Sequence, residues 1–168
     1  MLTRKLNYIS FLVNKGRLVT LASEPTDHTG YWMRMVSNAV SQEFARKVSS
    51  EDVTVAEWTF MRALYDLEPT PPSALAERMG MTKGAISKLA ERLVVKGLVE
   101  RTESQEDKRA HSLSLTTEGR AKIPILASLA DENDAGFFGV LTNDEHEALD
   151  RILKALAERR GLKTTPVD

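Results

Sequence analysis

The sequence contains no cysteine. Disulfides, thiolate metal ligands and cysteine redox switches are thereby excluded, and the composition fits a reducing cytoplasm. Aromatic residues account for only 6% of the 168 residues. No apolar run approaches the roughly 20 residues that cross a bilayer, so no membrane partner is expected. The start, Met1-Leu2-Thr3-Arg4-Lys5, is basic and an apolar stretch follows, but Asn7 and Ser10 interrupt it. No small-residue cleavage pattern comes after, so no signal peptide is expected. Also missing are a phosphate-binding glycine loop, a metal-hydrolase motif and a recognisable nucleophile–base pair. The expectation is a protein that is not an enzyme, with no catalytic residue, metal or cofactor.

Charge of one sign is missing as well, since the formal net charge is −1. Its distribution is less even. Residues 1–30 carry a net +2, residues 31–70 a net −2, residues 71–122 a net +3 and residues 123–168 a net −4. A positive centre and an acidic C-terminal part suggest one surface for a polyanion and another for something else.

What is present is mostly helical periodicity. Trp32, Val36, Val40, Phe44 and Val48 recur every four residues and Ala39 widens the stripe, which predicts an amphipathic helix over residues 31–49. Thr54-Val55-Ala56-Glu57 is a capping-box pattern, and Trp58, Met61, Leu64 and Tyr65 stripe the helix it opens. Glu68-Pro69-Thr70-Pro71-Pro72 ends that helix, because proline disfavours helix in the residue before it. Two short helices are predicted next, over residues 73–79 and from Thr82 to about Lys96, with Gly80 at the turn and Gly97 as the stop.

Residues 98–102 and 110–115 read as two strands, with Leu113 and Leu115 alternating against Ser112 and Ser114. The polar segment from Glu103 to Arg109 is their hairpin tip. Helical period returns at Thr117, where Pro124 should kink the helix or shift its start, and Gly136 and Gly139 should break it. Thr142-Asn143-Asp144-Glu145 is a second capping box, ahead of a stripe of Leu149, Ile152, Leu153 and Leu156. Residues 2–22 fit two patterns. Asn14-Lys15-Gly16 could turn a hairpin, and Leu2, Leu6, Ile9 and Val13 fit a helix, towards which the reading leans.

Pro72 to Val94 carries the function. A helix-turn-helix needs a small residue where its helices cross, a glycine at the turn and apolar residues pinning the second helix. Ala76, Gly80, and Ile86 with Leu89 and Leu93 supply these. The opposite face then carries Thr82, Lys83, Ser87, Lys88 and Arg92, donors suited to phosphates and to base edges in a major groove. Arg92 has an equally good reading as the partner of a carboxylate near Glu91 or in the wing. Arg101, Lys108 and Arg109 cluster at the strand pair, a wing that can reach a minor groove.

These residues resemble the MarR family of transcription regulators. The match lies in Leu75-Ala76-Glu77-Arg78, in Thr82-Lys83-Gly84-Ala85-Ile86-Ser87-Lys88-Leu89 and in Lys96-Gly97-Leu98-Val99-Glu100-Arg101. It continues through Glu106-Asp107-Lys108-Arg109-Ala110, Leu113-Ser114-Leu115-Thr116 and Glu118-Gly119. The resemblance implies a mainly α fold with a small β-hairpin wing, namely a winged helix-turn-helix plus a helical dimerisation unit. It implies a homodimer on double-stranded DNA, with a recognition helix in the major groove. It also implies Arg109 as the minor-groove residue and Asp107 as the carboxylate that orients it. The sequence departs from the family in its longer lead-in, residues 1–30, and in the early Pro124.

The expected organisation is an N-terminal extension (residues 1–30), a dimerisation and a support helix (31–66), the winged unit (67–116) and C-terminal dimerisation helices (117–168). The expected function is a cytoplasmic, sequence-specific regulator, a repressor on a pseudo-palindromic operator, released by a small aromatic or phenolic effector. Trp32, Val36, Trp58, Met61 and Tyr65 are the candidate effector pocket, although such stripes more often form core. The alternative is an architectural or protein-recruiting winged-helix module without an effector. His146 and Asp150 stand four apart as metal ligands can, but with no further His or Cys nearby they read as a solvated face.

Overall fold

The computed structural model describes residues 23–102 and 111–162, together with the backbone of residues 11–14, 17–20 and 103. The chain divides into two compact units, residues 1–39 and residues 40–168.

The first unit overturns the helical expectation for residues 2–22 within the part that is described. Strand β1 (Phe11–Asn14) pairs antiparallel with β2 (Arg17–Thr20), in a register that sets Phe11 against Thr20 and Asn14 against Arg17. Turn chemistry at Asn14-Lys15-Gly16, with β-branched and aromatic neighbours, outweighs a helical spacing of only four apolar residues. Helix α1 (Thr29–Ser49) follows a short 3-10 turn at Pro25–Asp27.

The second unit holds the core. Helix α2 (Val55–Tyr65) begins at the expected capping box: the Thr54 hydroxyl accepts from the Glu57 N–H and the Glu57 carboxylate accepts from the Thr54 N–H. Helices α3 (Pro72–Met79) and α4 (Lys83–Val95) form the helix-turn-helix. Gly80 ends α3 at φ 64°, where the Met81 N–H reaches back to the Ala76 carbonyl and the Gly80 N–H to that of Glu77. This is the paired closure of a left-handed helix end, which glycine adopts without a Cβ penalty. Ala76 is buried beside Leu75, Met79, Ile86, Leu89 and Leu93, so the small residue and the apolar stripe sit where the motif needs them.

Strands β3 (Val99–Glu103) and β4 (His111–Leu115) form the wing, in a register running from Val99 opposite Leu115 to Glu103 opposite His111. Thr70 extends the sheet by exchanging both backbone hydrogen bonds with Leu113, at 3.0 and 2.8 Å. The linker after α2 is thereby stitched to the wing. The Glu68 carboxylate adds to this: it accepts from the Leu115 N–H at 2.5 Å and pairs with Arg120.

Helix α5 (Thr117–Phe138) is capped by Thr116 and runs through Pro124 and Gly136. The expectation of a start shifted by Pro124, and of a break at Gly136, is therefore corrected, and the helix stops at Gly139. Thr116 caps the first turn and Ile123 and Leu126 bury in the core, which holds the helix despite the hydrogen bond that Pro124 cannot donate. Helix α6 (Asn143–Arg160) has the expected capping box at Thr142 and Glu145, and none of its residues is buried.

Candidate nucleic-acid interface

The face of α4 opposite the core is built by its own period. Ile86, Leu89, Ala90 and Leu93 point into the core, which leaves Lys83, Ser87, Lys88, Glu91 and Arg92 exposed, next to exposed Thr82. Thr82 is the N-cap, its hydroxyl accepting from the Ala85 N–H at 3.2 Å. The Ser87 hydroxyl donates to the Lys83 carbonyl at 3.0 Å, so it presents its lone pairs outward. Lys88, Glu91, Arg92, Val95 and Lys96 border a shallow hollow of about 410 Å³ on this surface.

Lys83, Lys88, Arg92 and Arg101 take part in no ion pair among the described residues. Several other cations of the unit are engaged, although Arg46, Arg151, Arg159 and Arg160 also take part in no ion pair among the described residues. Arg62 and Arg78 share Asp66, Arg120 holds Glu68, and Lys122 holds Glu51. Exposed cations without an internal partner are those available to phosphates. Arg101 lies exposed on β3, opposite Leu113. Asp107, Lys108 and Arg109 lie outside the described residues.

Lys96 shows how the end of this helix is held. Its ammonium donates to the Glu57 carboxylate at 3.1 Å and to the Asp52 carbonyl at 2.5 Å. Glu57 is 1% exposed. Burial pushes its carboxyl upward, but hydrogen bonds from Thr54 and the charge of Lys96 outweigh this and hold it below the usual carboxylate range. The capping box gave half of this arrangement. The lysine, 39 residues away in sequence, had no local signal. Glu68 and Thr70 were missed for the same reason, because the proline-rich segment reads only as a helix stop.

The candidate effector residues are divided between the units. Trp32 and Val36 are exposed on α1, and the Trp32 indole donates to the Thr26 carbonyl at 2.9 Å. On α2, Met61 is fully buried in the core and has no free surface. Trp58 is partly buried and borders a hollow of about 330 Å³ with Arg62, Asp66 and Arg78. Tyr65 is exposed beneath the guanidinium groups of Arg120 at 4.9 Å and Arg62 at 5.6 Å. Among the described residues no group of acidic and histidine side chains is arranged to hold a metal. His146 instead stacks on Phe138, with ring centroids 5.8 Å apart. Among the described residues no helix is long and apolar enough to cross a membrane.

Comparison with known proteins agrees with this geometry. The model of the MarR family matches residues 51–110. The transcriptional regulator HosA of Escherichia coli O111:H- is 29% identical over 105 residues, covering 62% of this chain and 78% of that protein. The HTH-type transcriptional regulator PrsX of Escherichia coli is 35% identical over 85 residues, about half (51%) of each chain. A crystal structure of a MarR variant from E. coli complexed with operator DNA superposes with a TM-score of 0.68 at 25% identity, covering 80% of this chain and 99% of that one. The helix-turn-helix, the wing and these likenesses agree: residues 51–110 match the MarR family, and the chain has the winged-helix fold of that family's DNA-binding transcriptional regulators.

Proposed function

We propose that the protein is a cytoplasmic homodimer that binds a pseudo-palindromic operator and represses transcription until a small aromatic or phenolic effector releases it. The observation that carries DNA reading is the outer face of α4, where Thr82, Lys83, Ser87, Lys88 and Arg92 surround a helix whose opposite face is locked into the core. A rigid scaffold behind a basic, polar surface is what a major-groove reader needs. Arg101 continues the surface onto the wing, and the sequence pattern adds Lys108 and Arg109, with Asp107 in support.

Dimerisation is supported by unburied apolar surface. Ile152, Leu153 and Leu156 on α6 are 54%, 41% and 44% exposed, and Tyr31, Trp32, Met33 and Met35 on α1 are comparably open. Apolar helix faces of this extent are covered in stable proteins. Two recognition helices related by a two-fold axis would meet half-sites about 10 bp apart.

An effector would act by binding one dimer geometry better than the other, and can shift operator binding only by that difference. Candidate contacts for it are Trp32 and Val36 in the first unit and Trp58 and Tyr65 in the second, while Met61 is wholly buried and offers it no surface.

Operator selection from a random DNA library, followed by footprinting, tests the reading. A symmetric site with two half-sites one turn apart is expected. Lys88→Ala and Ser87→Ala should change sequence preference, whereas Arg92→Ala should weaken all sequences alike. Binding without sequence preference, and without response to aromatic acids or phenols, would favour an architectural role.

A further inference from the structure

Most glycines of the second unit have a reason within the fold. Gly80 and Gly97 take positive φ, and Gly119 and Gly139 have no room for a Cβ. Gly84 has neither reason. It is the second residue of α4, its φ is not positive, and a Cβ built on it meets nothing within 4 Å. Glycine in a helix costs up to about 1 kcal/mol relative to alanine, so here the fold carries a cost without a return in packing or backbone geometry.

The position of Gly84 supplies a reason. Residues three and four apart on a helix are neighbours, so Gly84 lies against Ser87 and Lys88. All three are exposed, as is Lys83. The surface around Gly84 is therefore basic and polar, and Gly84 is the one residue of α4 without a side chain. The Ala85 N–H is occupied by the Thr82 cap and the Ile86 N–H by the Thr82 carbonyl, whereas the N–H groups of Lys83 and Gly84 have no acceptor among the described residues. Gly30 and Gly136 are also open to a Cβ, but they belong to α1 and α5 and not to α4.

We infer that Gly84 is a contact position for DNA, where the missing side chain lets a base edge or phosphate approach the recognition-helix backbone closely enough to set sequence preference. This rests on the operator-binding function proposed above. A methyl group at this position would hold the duplex away from α4 by its own thickness. That would lengthen the contacts of Ser87 and Lys88 together, because both stand on the adjoining turn.

The test uses the full chain with Gly84→Ala and Gly84→Leu, both good helix formers, and Lys88→Ala as a reference. Thermal unfolding should show neither glycine variant melting below the wild type. Affinity for the selected operator should fall by about 10-fold for Gly84→Ala, the size of one lost base contact, and further for Gly84→Leu. Weak binding to unrelated DNA should change less. A lowered melting temperature in Gly84→Ala would overturn the inference by giving the glycine a structural role. So would operator affinity within twofold of wild type in both variants while Lys88→Ala binds weakly, and that outcome would leave the proposed function standing. A wild type that selects no DNA would remove both.

Discussion

A Cβ on Gly119 would fall on the carbonyl oxygen of Leu98, inside any van der Waals contact, and 2.9 Å from the carbonyl carbon. The first turn of α5 is thus seated on the backbone that joins α4 to β3. Thr116 completes the joint. Its N–H donates to the Leu98 carbonyl at 3.1 Å, and its hydroxyl donates to the Gly97 carbonyl at 2.6 Å while accepting from the Gly119 N–H at 3.0 Å. Recognition helix, wing and α5 therefore meet at one point of the backbone.

Gly119→Ala should accordingly destabilise the protein by about 1–3 kcal/mol, the usual result of overpacking against a group that cannot move away. The clash is with main chain, so no side-chain rotation relieves it. Urea unfolding should show a lowered midpoint with an unchanged slope. A midpoint equal to wild type would mean that α5 slides on Leu98 at little cost, and that the joint is soft.

The Glu57–Lys96 pair predicts a pH dependence. The Glu57 carboxyl titrates below its usual range in the folded protein, so the folded state favours the charged form. The stabilisation is fully present above the unfolded value of about 4.3. It is lost as pH falls from there through the lower folded value. Glu57→Gln keeps a side-chain acceptor for the Thr54 N–H but removes the charge that faces Lys96. It should lower stability at pH 7 by about 1–3 kcal/mol, typical of a lost charged hydrogen bond, and the deficit should shrink as pH falls below 4. Unfolding curves of both proteins across pH 3–7 check this. A constant deficit would show that Glu57 acts through packing and not through its charge.

The winged helix-turn-helix was legible because its signals are local. Gly80, the Ile86–Leu89–Leu93 stripe and the alternation of Leu113 and Leu115 each act within a few residues, and each element lies where its pattern placed it to within one or two residues. The contacts that tie those elements together were not legible. Lys96 to Glu57, Glu68 to Leu115 and Gly119 to Leu98 join distant positions, and their residue types are common on any surface. The hairpin at Phe11–Asn14 and Arg17–Thr20 was misread because a helical period and a turn signal competed over a short segment. Pro124 was overweighted, since a single missing hydrogen bond does not interrupt a helix capped on one side and buried on the other.

If α6 forms part of a dimer interface, charge on its apolar stripe should separate the subunits. Ile152→Glu together with Leu156→Glu places two carboxylates one turn apart on a face that contributes no buried residue to its own chain. The fold of the chain should survive, because nothing in its core is touched. Sedimentation at micromolar concentration should give a dimer for the wild type and a monomer for the variant. Circular dichroism should remain helical in both, and operator affinity should fall sharply with the loss of paired half-sites. A variant that stays dimeric would place the interface elsewhere.

The wing yields the prediction whose sign is most informative. Strands β3 and β4 are paired up to Glu103 and His111, and Asp107, Lys108 and Arg109 fall in the sequence between them. If Arg109 enters a minor groove, where narrow tracts concentrate negative potential, Arg109→Ala should weaken operator binding. It should also flatten the slope of log affinity against log salt by about one unit, as fewer counterions are released. Asp107 separates two explanations. As a plain surface charge facing a polyanion it is repulsive, so Asp107→Ala would tighten binding. As the carboxylate that orients Arg109 it aids binding, so Asp107→Ala would weaken it despite removing a negative charge. The double variant discriminates further. If Asp107 acts only through Arg109, its removal should have no weakening effect once Arg109 is already alanine, and only the relief of repulsion should remain. Operator titrations of the two single variants and the double variant at matched salt supply the cycle. Tighter binding by Asp107→Ala in the presence of Arg109 would end the orienting role.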